Sequence, residues 1–314
     1  MKYVLTFLFL AGASCAYSQF EFNPETPNDT VGTIANQENV YQRPFVLKGT
    51  AGKFSTALGG YMEANTNYFV TDGVGDGFSM EFRRFNIFVY SSVADRIRFI
   101  SELEFEHGTK EIALETALLD IQLHRALILR GGILLPPVGA FNADHDSPKW
   151  DFVDRPMVSE TIGAATLSEV GFGFHGKVAF GKYFWSYETY LVNGLRDEII
   201  ANEDDRTSLQ AGKSQEMFEA DNNGSPAFTG RIALGRRQIG QLGFSYYGGI
   251  YNTFKADGLE LDDKHWLHTL GFDYELEIGK LSLRGEALLN LLDVPTDLGQ
   301  QFGDKQWGVH ADFV

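Results

Sequence analysis

The chain has 314 residues, among them 34 Gly, 26 Phe and 13 Tyr, and a formal net charge of −16 at pH 7. No basic stripe is available to meet phosphates, which excludes nucleic acid as a partner. The acidic balance suits a protein that handles cations, or one whose loops are acidic and solvated.

Met1–Gly12 holds one positive charge followed by a short apolar run, and Ala16-Tyr17-Ser18 offers small residues for cleavage before Gln19. Residues 1–18 are therefore predicted to be a secretory signal peptide, the run being too short to span a bilayer. Cys15 is the sole cysteine and lies inside this segment, so disulfides, thiolate catalysis and cysteine metal sites are not expected in the mature chain. Residues 19–50 are polar, contain Pro24, Pro27 and Pro44, and show no sustained periodicity. They read as an N-terminal periplasmic extension, and 51–314 as the remaining domain.

From about residue 55 the pattern changes to period two, the period of a β-strand. The clearest run is 96–106, where Ile97, Phe99, Ser101, Leu103 and Phe105 oppose Arg96, Arg98, Ile100, Glu102, Glu104 and Glu106. Twelve strands are predicted, over 56–69, 78–92, 96–107, 110–123, 126–135, 168–181, 183–193, 227–235, 241–254, 265–278, 280–289 and 305–314. A β-bulge is expected near Leu118-Leu119, where the alternation changes phase. Tight turns at Ala94-Asp95, His124-Arg125, Gly181-Lys182, 237–239 and 277–279 alternate with longer connections at 72–77, 136–167, 193–226, 256–264 and 293–304. Strands of this length, with short turns at one end and long loops at the other, imply an all-β fold. The expected architecture is a transmembrane antiparallel up-and-down β-barrel in outer-membrane lipid, with a polar inner face. Aromatics near strand ends (Tyr68, Phe69, Phe88, Tyr90, Tyr183, Trp185, Tyr190, Tyr251, Trp266, Trp307) are expected at the two interfacial girdles.

The stretch Arg130-Gly131-Gly132-Ile133-Leu134-Leu135-Pro136-Pro137-Val138-Gly139 runs through Phe141–Asp146 and Trp150–Pro156 to Ser168–Gly173. It resembles outer-membrane porins of the phosphate-selective porin O and P type, in their Bacteroidota-like form. That resemblance implies a sixteen-stranded barrel, a homotrimer, and an inward-folded third loop that narrows the pore. The segment 136–167 occupies the position of that loop. The chain stops in its twelfth predicted strand, at Asp312-Phe313-Val314, which implies either a C-terminal truncation of about four strands or closure at twelve. Phosphate selectivity in the family depends on lumenal arginines and a lysine cluster. Here the expected lumenal cations Arg96, Arg98, Arg130, Lys177, Arg231 and Arg284 face a larger set of acids that includes Glu102, Glu104, Glu115, Asp273, Glu275 and Glu286. Phosphate thus remains one solute among small hydrophilic molecules and ions.

Two groups of site residues follow. Asp144, His145, Asp146, Asp151, Asp154 and Arg155 are expected at the constriction, with Arg155 pairing to an Asp. Arg96, Arg98, Arg130, Glu102, Glu104, Glu115 and Lys177 are expected to set lumenal selectivity. The competing reading for the second group is a purely structural ladder of cross-strand charge pairs. Asp144-His145-Asp146 also has metal-binding residue types, but neighbours in sequence seldom converge on one ion unaided. No metal or cofactor is assigned. An outer-membrane barrel enzyme is the alternative class, yet Ser168 and His175 would lie about 23 Å apart along one strand. An anchoring barrel is a third class, which the lumen-facing Gly171, Gly173, Gly243, Gly249 and Gly271 argue against.

Overall fold

The computed structural model describes residues 45–51, 54–298 and 300–314. The expected signal peptide, and the expected extension as far as residue 44, lie outside them. Thirteen strands form one antiparallel sheet: β1 (Phe45–Ala51), β2 (Phe54–Thr71), β3 (Val74–Ala94), β4 (Ile97–Glu106), β5 (Glu111–His124), β6 (Leu127–Leu134), β7 (Glu169–Phe180), β8 (Tyr183–Val192), β9 (Ala227–Arg236), β10 (Gly240–Ile250), β13 (Trp266–Ile278), β14 (Leu281–Leu292) and β15 (Lys305–Phe313). A separate two-stranded hairpin, β11 (Lys255–Ala256) and β12 (Leu259–Glu260), sits in the loop between β10 and β13. Every neighbour in the large sheet is also a neighbour in the chain, as an up-and-down meander requires.

The faces are inside out relative to a soluble protein. Phe172, Phe244 and Trp307 are 67%, 61% and 71% exposed, whereas Glu102, Asp273 and Arg130 are 0%, 1% and 2% exposed. Strict alternation generates this split, since each strand sends successive side chains to opposite faces. No helix among the described residues is long and apolar enough to cross a membrane; the lipid-compatible surface is made by strands.

All twelve expected strands are present, and five local expectations are corrected. First, β1 lies within the segment read as extension: Phe45–Ala51 pairs with β2 through backbone hydrogen bonds that its irregular side-chain pattern does not announce. Second, 72–77 is not a long loop. Asp72 and Gly73 both have positive φ (53° and 82°) and form a two-residue hairpin, the conformation an Asp-Gly pair favours. Third, the β5 bulge falls at Glu115-Thr116 rather than Leu118-Leu119, so both side chains turn inward. Fourth, an unforeseen bulge at Arg83-Arg84 likewise admits two adjacent arginines to the interior. Fifth, Phe88, Tyr90, Tyr190 and Tyr251 are buried, while the other six expected girdle aromatics are exposed. The strand register, not proximity to a strand end, decides that division.

The exposed face carries a direct test. Phe244→Arg should lower unfolding free energy by about 2–4 kcal/mol in vesicles, as arginine does at a bilayer midplane. Urea titration of the refolded protein reads it, and unchanged stability would mean that lipid does not contact β10.

Candidate functional site

The loop between β6 and β7, residues 135–168, is the third connection at the loop end and folds into the sheet's concave side. Asn142 fixes its shape by stitching the two legs together. Its side-chain amide donates to the carbonyls of Pro136 (2.7 Å) and Leu167 (3.0 Å), and its Oδ1 accepts from the Leu167 N–H at 2.7 Å. The far anchor is Glu286 on β14. One carboxylate oxygen accepts the N–H groups of Ala140 and Phe141, both at 3.1 Å, and the other accepts the Ser159 hydroxyl at 2.9 Å. Asn290, two pleat repeats further along β14, donates to the Ile162 carbonyl at 2.8 Å. A short helix, α1 (Met157–Thr161), then lays Val158 over Gly308 of β15.

Above this loop, residues 193–226 close the loop end. Glu169 accepts from the Gly194 N–H and the Tyr247 hydroxyl, both at 2.7 Å. Leu195, Ile199, Leu209 and Met217 join Val158 and Leu167 in a buried apolar cluster. Lys213 donates its ammonium to the Thr166 carbonyl. Burial pulls the Lys213 pKa below the ordinary lysine value, against the opposing pull of Glu115. The lumen-facing glycines therefore do not mark empty space. Gly271 lies against the Gly139 N–H of the third loop, and Gly243 leaves room for an ion pair that passes over it.

That ion pair joins Arg231 on β9 to Asp273 on β13 across the intervening β10, by bonds of 2.9 and 2.6 Å. A Cβ on Gly243 would sit 2.2 Å from the guanidinium. Arg130 makes the corresponding two-pronged contact with Asp120 on the neighbouring strand, at 2.7 Å through each nitrogen. His175 approaches the same carboxylate at 3.4 Å. Planar guanidinium-carboxylate pairs of this kind are specific and strong.

The remaining expected lumenal residues divide. Glu102 accepts from Asn86 at 2.7 Å, Glu104 pairs with Arg84 at 3.4 Å, and Glu115 accepts from Ser168 at 3.2 Å. Arg98 donates to Gln122, and Lys177 sits 4.3 Å from the Phe184 ring centroid. Arg96 is corrected: it belongs to the exposed β3–β4 turn, not to the wall. Its alternation is interrupted there because residues 95–96 reverse the chain. Ser168 and His175, the tempting catalytic pair, take separate partners in Glu115 and Asp120.

In the third loop, Asp144 binds Lys149 at 3.0 Å, Asp151 approaches Arg284 at 3.6 Å, and Asp154 pairs with Arg83 at 3.3 Å. Arg155 does not pair with an Asp among the described residues. Its guanidinium lies 5.5 Å from the centre of Trp150, a ring that Arg84 approaches at 5.7 Å. Cation–π attraction replaces the expected ion pair because Trp150 is already placed beside Phe141. His145 and Asp146 are buried against β4. Burial works to lower the His145 pKa, but the carboxylates of Asp146, Glu102 and Glu115 outweigh it and raise the value above the ordinary histidine range.

Between this loop and β13–β15 lies a cavity of about 640 Å³. Asp144, Asp151, Asp154, Glu275, Glu286 and Asp312 line it together with Lys149 and Arg284. Sequence reading did not place Arg83, Arg84 or Trp150 at the site. The only local cue was the break in alternation at the paired arginines.

Against known proteins, the chain is 32% identical over 217 residues to an uncharacterized protein of Aquifex aeolicus (strain VF5). That match spans 67% of this chain and 45% of the relative, so the chain covers less than half of that protein. No protein-family model matches. Among solved structures, an anion-selective porin from Comamonas acidovorans superposes with a TM-score of 0.50 at 11% identity, covering 81% of this chain and 71% of that one. The fold is that of a porin. Salmonella typhi OmpF, solved with daunomycin, aligns with a TM-score of 0.38 at 12% identity, over 85% of this chain and 87% of its own. The porin fold accounts for the wall, and the residues above account for the inward loop.

Removing the Glu286 anchor should release that loop without dissolving the wall. Glu286→Ala leaves three donors without their acceptor, each worth about 1 kcal/mol net. Limited proteolysis within 139–162 should therefore quicken at least about tenfold, the factor that about 1.4 kcal/mol represents. Cleavage at the parental rate would show that other contacts hold the loop.

Proposed function

We propose that the chain is an outer-membrane porin that passes small hydrophilic solutes or ions through a lumen narrowed by its third loop. The observation that carries this reading is the charged cavity between the inward loop and β13–β15, with six carboxylates and two cationic side chains on its lining. A porin works by geometry and field: a constriction sets the size limit and the lining charges bias which ions enter. Asp144, Asp151 and Asp154 line the cavity together with Lys149 and Arg284, Asp151 lying 3.6 Å from Arg284, so a solute would pass a wall of mixed sign. The excess of carboxylate favours cations.

Export by a signal at residues 1–18, insertion in outer-membrane lipid and assembly as a homotrimer belong to the same reading, as does membership of the phosphate-selective O and P type. They rest on the N-terminal pattern and on the motif running from 130 to 173. The anion selectivity in the name of the Comamonas porin does not transfer easily, because the buried arginines here are committed to Asp120 and Asp273. Phosphate is accordingly the less favoured solute.

The reading is tested in a planar bilayer with a KCl gradient. A carboxylate about 8 Å from a passing ion contributes about 0.5 kcal/mol in water-like surroundings. Replacing Asp144, Asp151 and Asp154 together by Asn should then cut the potassium-to-chloride permeability ratio at least about tenfold. An unaltered reversal potential would remove the third loop from the conducting path, and a folded barrel without conductance would remove the channel.

A further inference from the structure

We propose that Glu102, His145 and Asp146 form a divalent-cation site that fastens the third loop to the barrel wall. His145 is fully buried, and its Nδ1 lies 3.1 Å from the Asn142 carbonyl oxygen. A carbonyl only accepts, so Nδ1 carries a proton, and in the neutral ring Nε2 presents its lone pair. The surrounding carboxylates that raise the His145 pKa favour a cation at Nε2, a proton or a metal ion alike. That lone pair is aimed at two carboxylates, Glu102 at 3.8 Å and Glu115 at 4.0 Å. Both separations are too long for a hydrogen bond, and Nε2 has no hydrogen-bond partner. A buried imidazole nitrogen without a partner, facing carboxylates, is costly unless a cation stands there, and at alkaline pH, where the proton is lost, a metal ion can take that place.

The ligand atoms of Glu102, His145 and Asp146 all fall within 4.8 Å of one another. Bonds of about 2.0–2.2 Å to one central ion place tetrahedral ligands about 3.4 Å apart, so small side-chain rotations would close the group around an ion. The hydrogen bond from Nδ1 to a backbone carbonyl is also the outer contact that metal-binding histidines characteristically make, fixing the tautomer that leaves Nε2 free to ligate. One imidazole with two carboxylates suits a borderline divalent ion such as Zn²⁺, Co²⁺ or Mn²⁺ better than Ca²⁺. Lys149 lies 3.5 Å from Asp146 and offsets part of the negative charge, as Arg84 does beside Glu104. Asp144 is not a ligand, since Lys149 takes it at 3.0 Å. Glu102, 43 residues away in sequence but on the facing strand, supplies the distant partner that adjacent residues lack.

Such an ion would complete the fastening of the loop. Glu286 holds residues 140–141 and 159 to β14, and the ion would hold 145–146 to β4 on the opposite side. The site is independent of whether the barrel conducts.

Co²⁺ is the probe, added to the refolded full chain in detergent at mildly alkaline pH, and in a parallel sample during refolding. The expected result is one Co²⁺ per chain, with X-ray absorption showing one imidazole among oxygen ligands. His145→Asn and Glu102→Gln should each weaken binding by at least about 100-fold, a ligand costing no less than its outer-shell partner. Asp204→Asn, on an exposed loop, should leave it unchanged. No bound Co²⁺ in either wild-type sample overturns the proposal, as does an all-oxygen shell or parental affinity in both variants. Should a variant fail to refold, judged by heat-modifiable electrophoresis, the wild-type stoichiometry and absorption spectrum still decide.

Discussion

A wall with lipid on its outer side has to satisfy all of its polar groups on the inner side, and the rest of this molecule follows from that constraint. Its solution is a belt of charge that runs from strand to strand, offset by two residues between β6 and β7 and bridging the uncharged Gly243 and Ser245 of β10. Asp120 faces Arg130 between β5 and β6, and His175 faces Glu188 between β7 and β8. Glu188 then faces Arg231, and Asp273, Glu286 and His310 continue the row across β13, β14 and β15. Each member sits at an inward position of a period-two pattern, so a one-residue slip of any strand would turn its charge into lipid. The belt therefore fixes register as well as satisfying charge. Taking one partner from a buried pair such as Arg231–Asp273 leaves an uncompensated ion, which costs far more than the pair gains.

The inward loop is a consequence of the same belt. Glu286 stands in the row between Asp273 and His310, and the third loop supplies it with three donors. Gly243 and Gly271 keep the wall low where Arg231 and the loop backbone have to pass. The apolar cluster of the third and fourth loops then seals the loop end above β6–β10. The cavity lies to one side, against β13–β15.

Much of the wall was legible in the sequence because lipid forces the cleanest alternation available to a strand. Segments such as Val170–Phe180 and Trp266–Ile278 carry it almost without interruption. The failures have physical causes. Phe45–Ala51 pairs with β2 through its backbone, and side-chain periodicity does not report that pairing. The bulges at Arg83-Arg84 and Glu115-Thr116 depend on what the opposite strand does, which is information from at least 12 residues away. The site was legible only as a list of charged residues in one loop. That Asp154 meets Arg83, that Trp150 sits among two arginines, and that His145 faces Glu102 are all contacts between the loop and distant strands.

The same contacts change what a count of lumenal charges means. Read from the sequence, acids outnumber bases on the inner face, and the surplus looks like a field spread along the whole lumen. In the folded chain Asp120 and Asp273 are neutralised at contact distance, and Glu169 and Glu286 are given over to loop N–H and hydroxyl donors. Charges paired within about 3 Å act as dipoles, whose field fades much faster with distance than that of a single charge. Salt screening over about 10 Å confines the remainder to its own neighbourhood. On the proposed reading, a solute would meet mainly the charges that line the cavity, while the belt arginines, paired with Asp120 and Asp273, stabilise the wall.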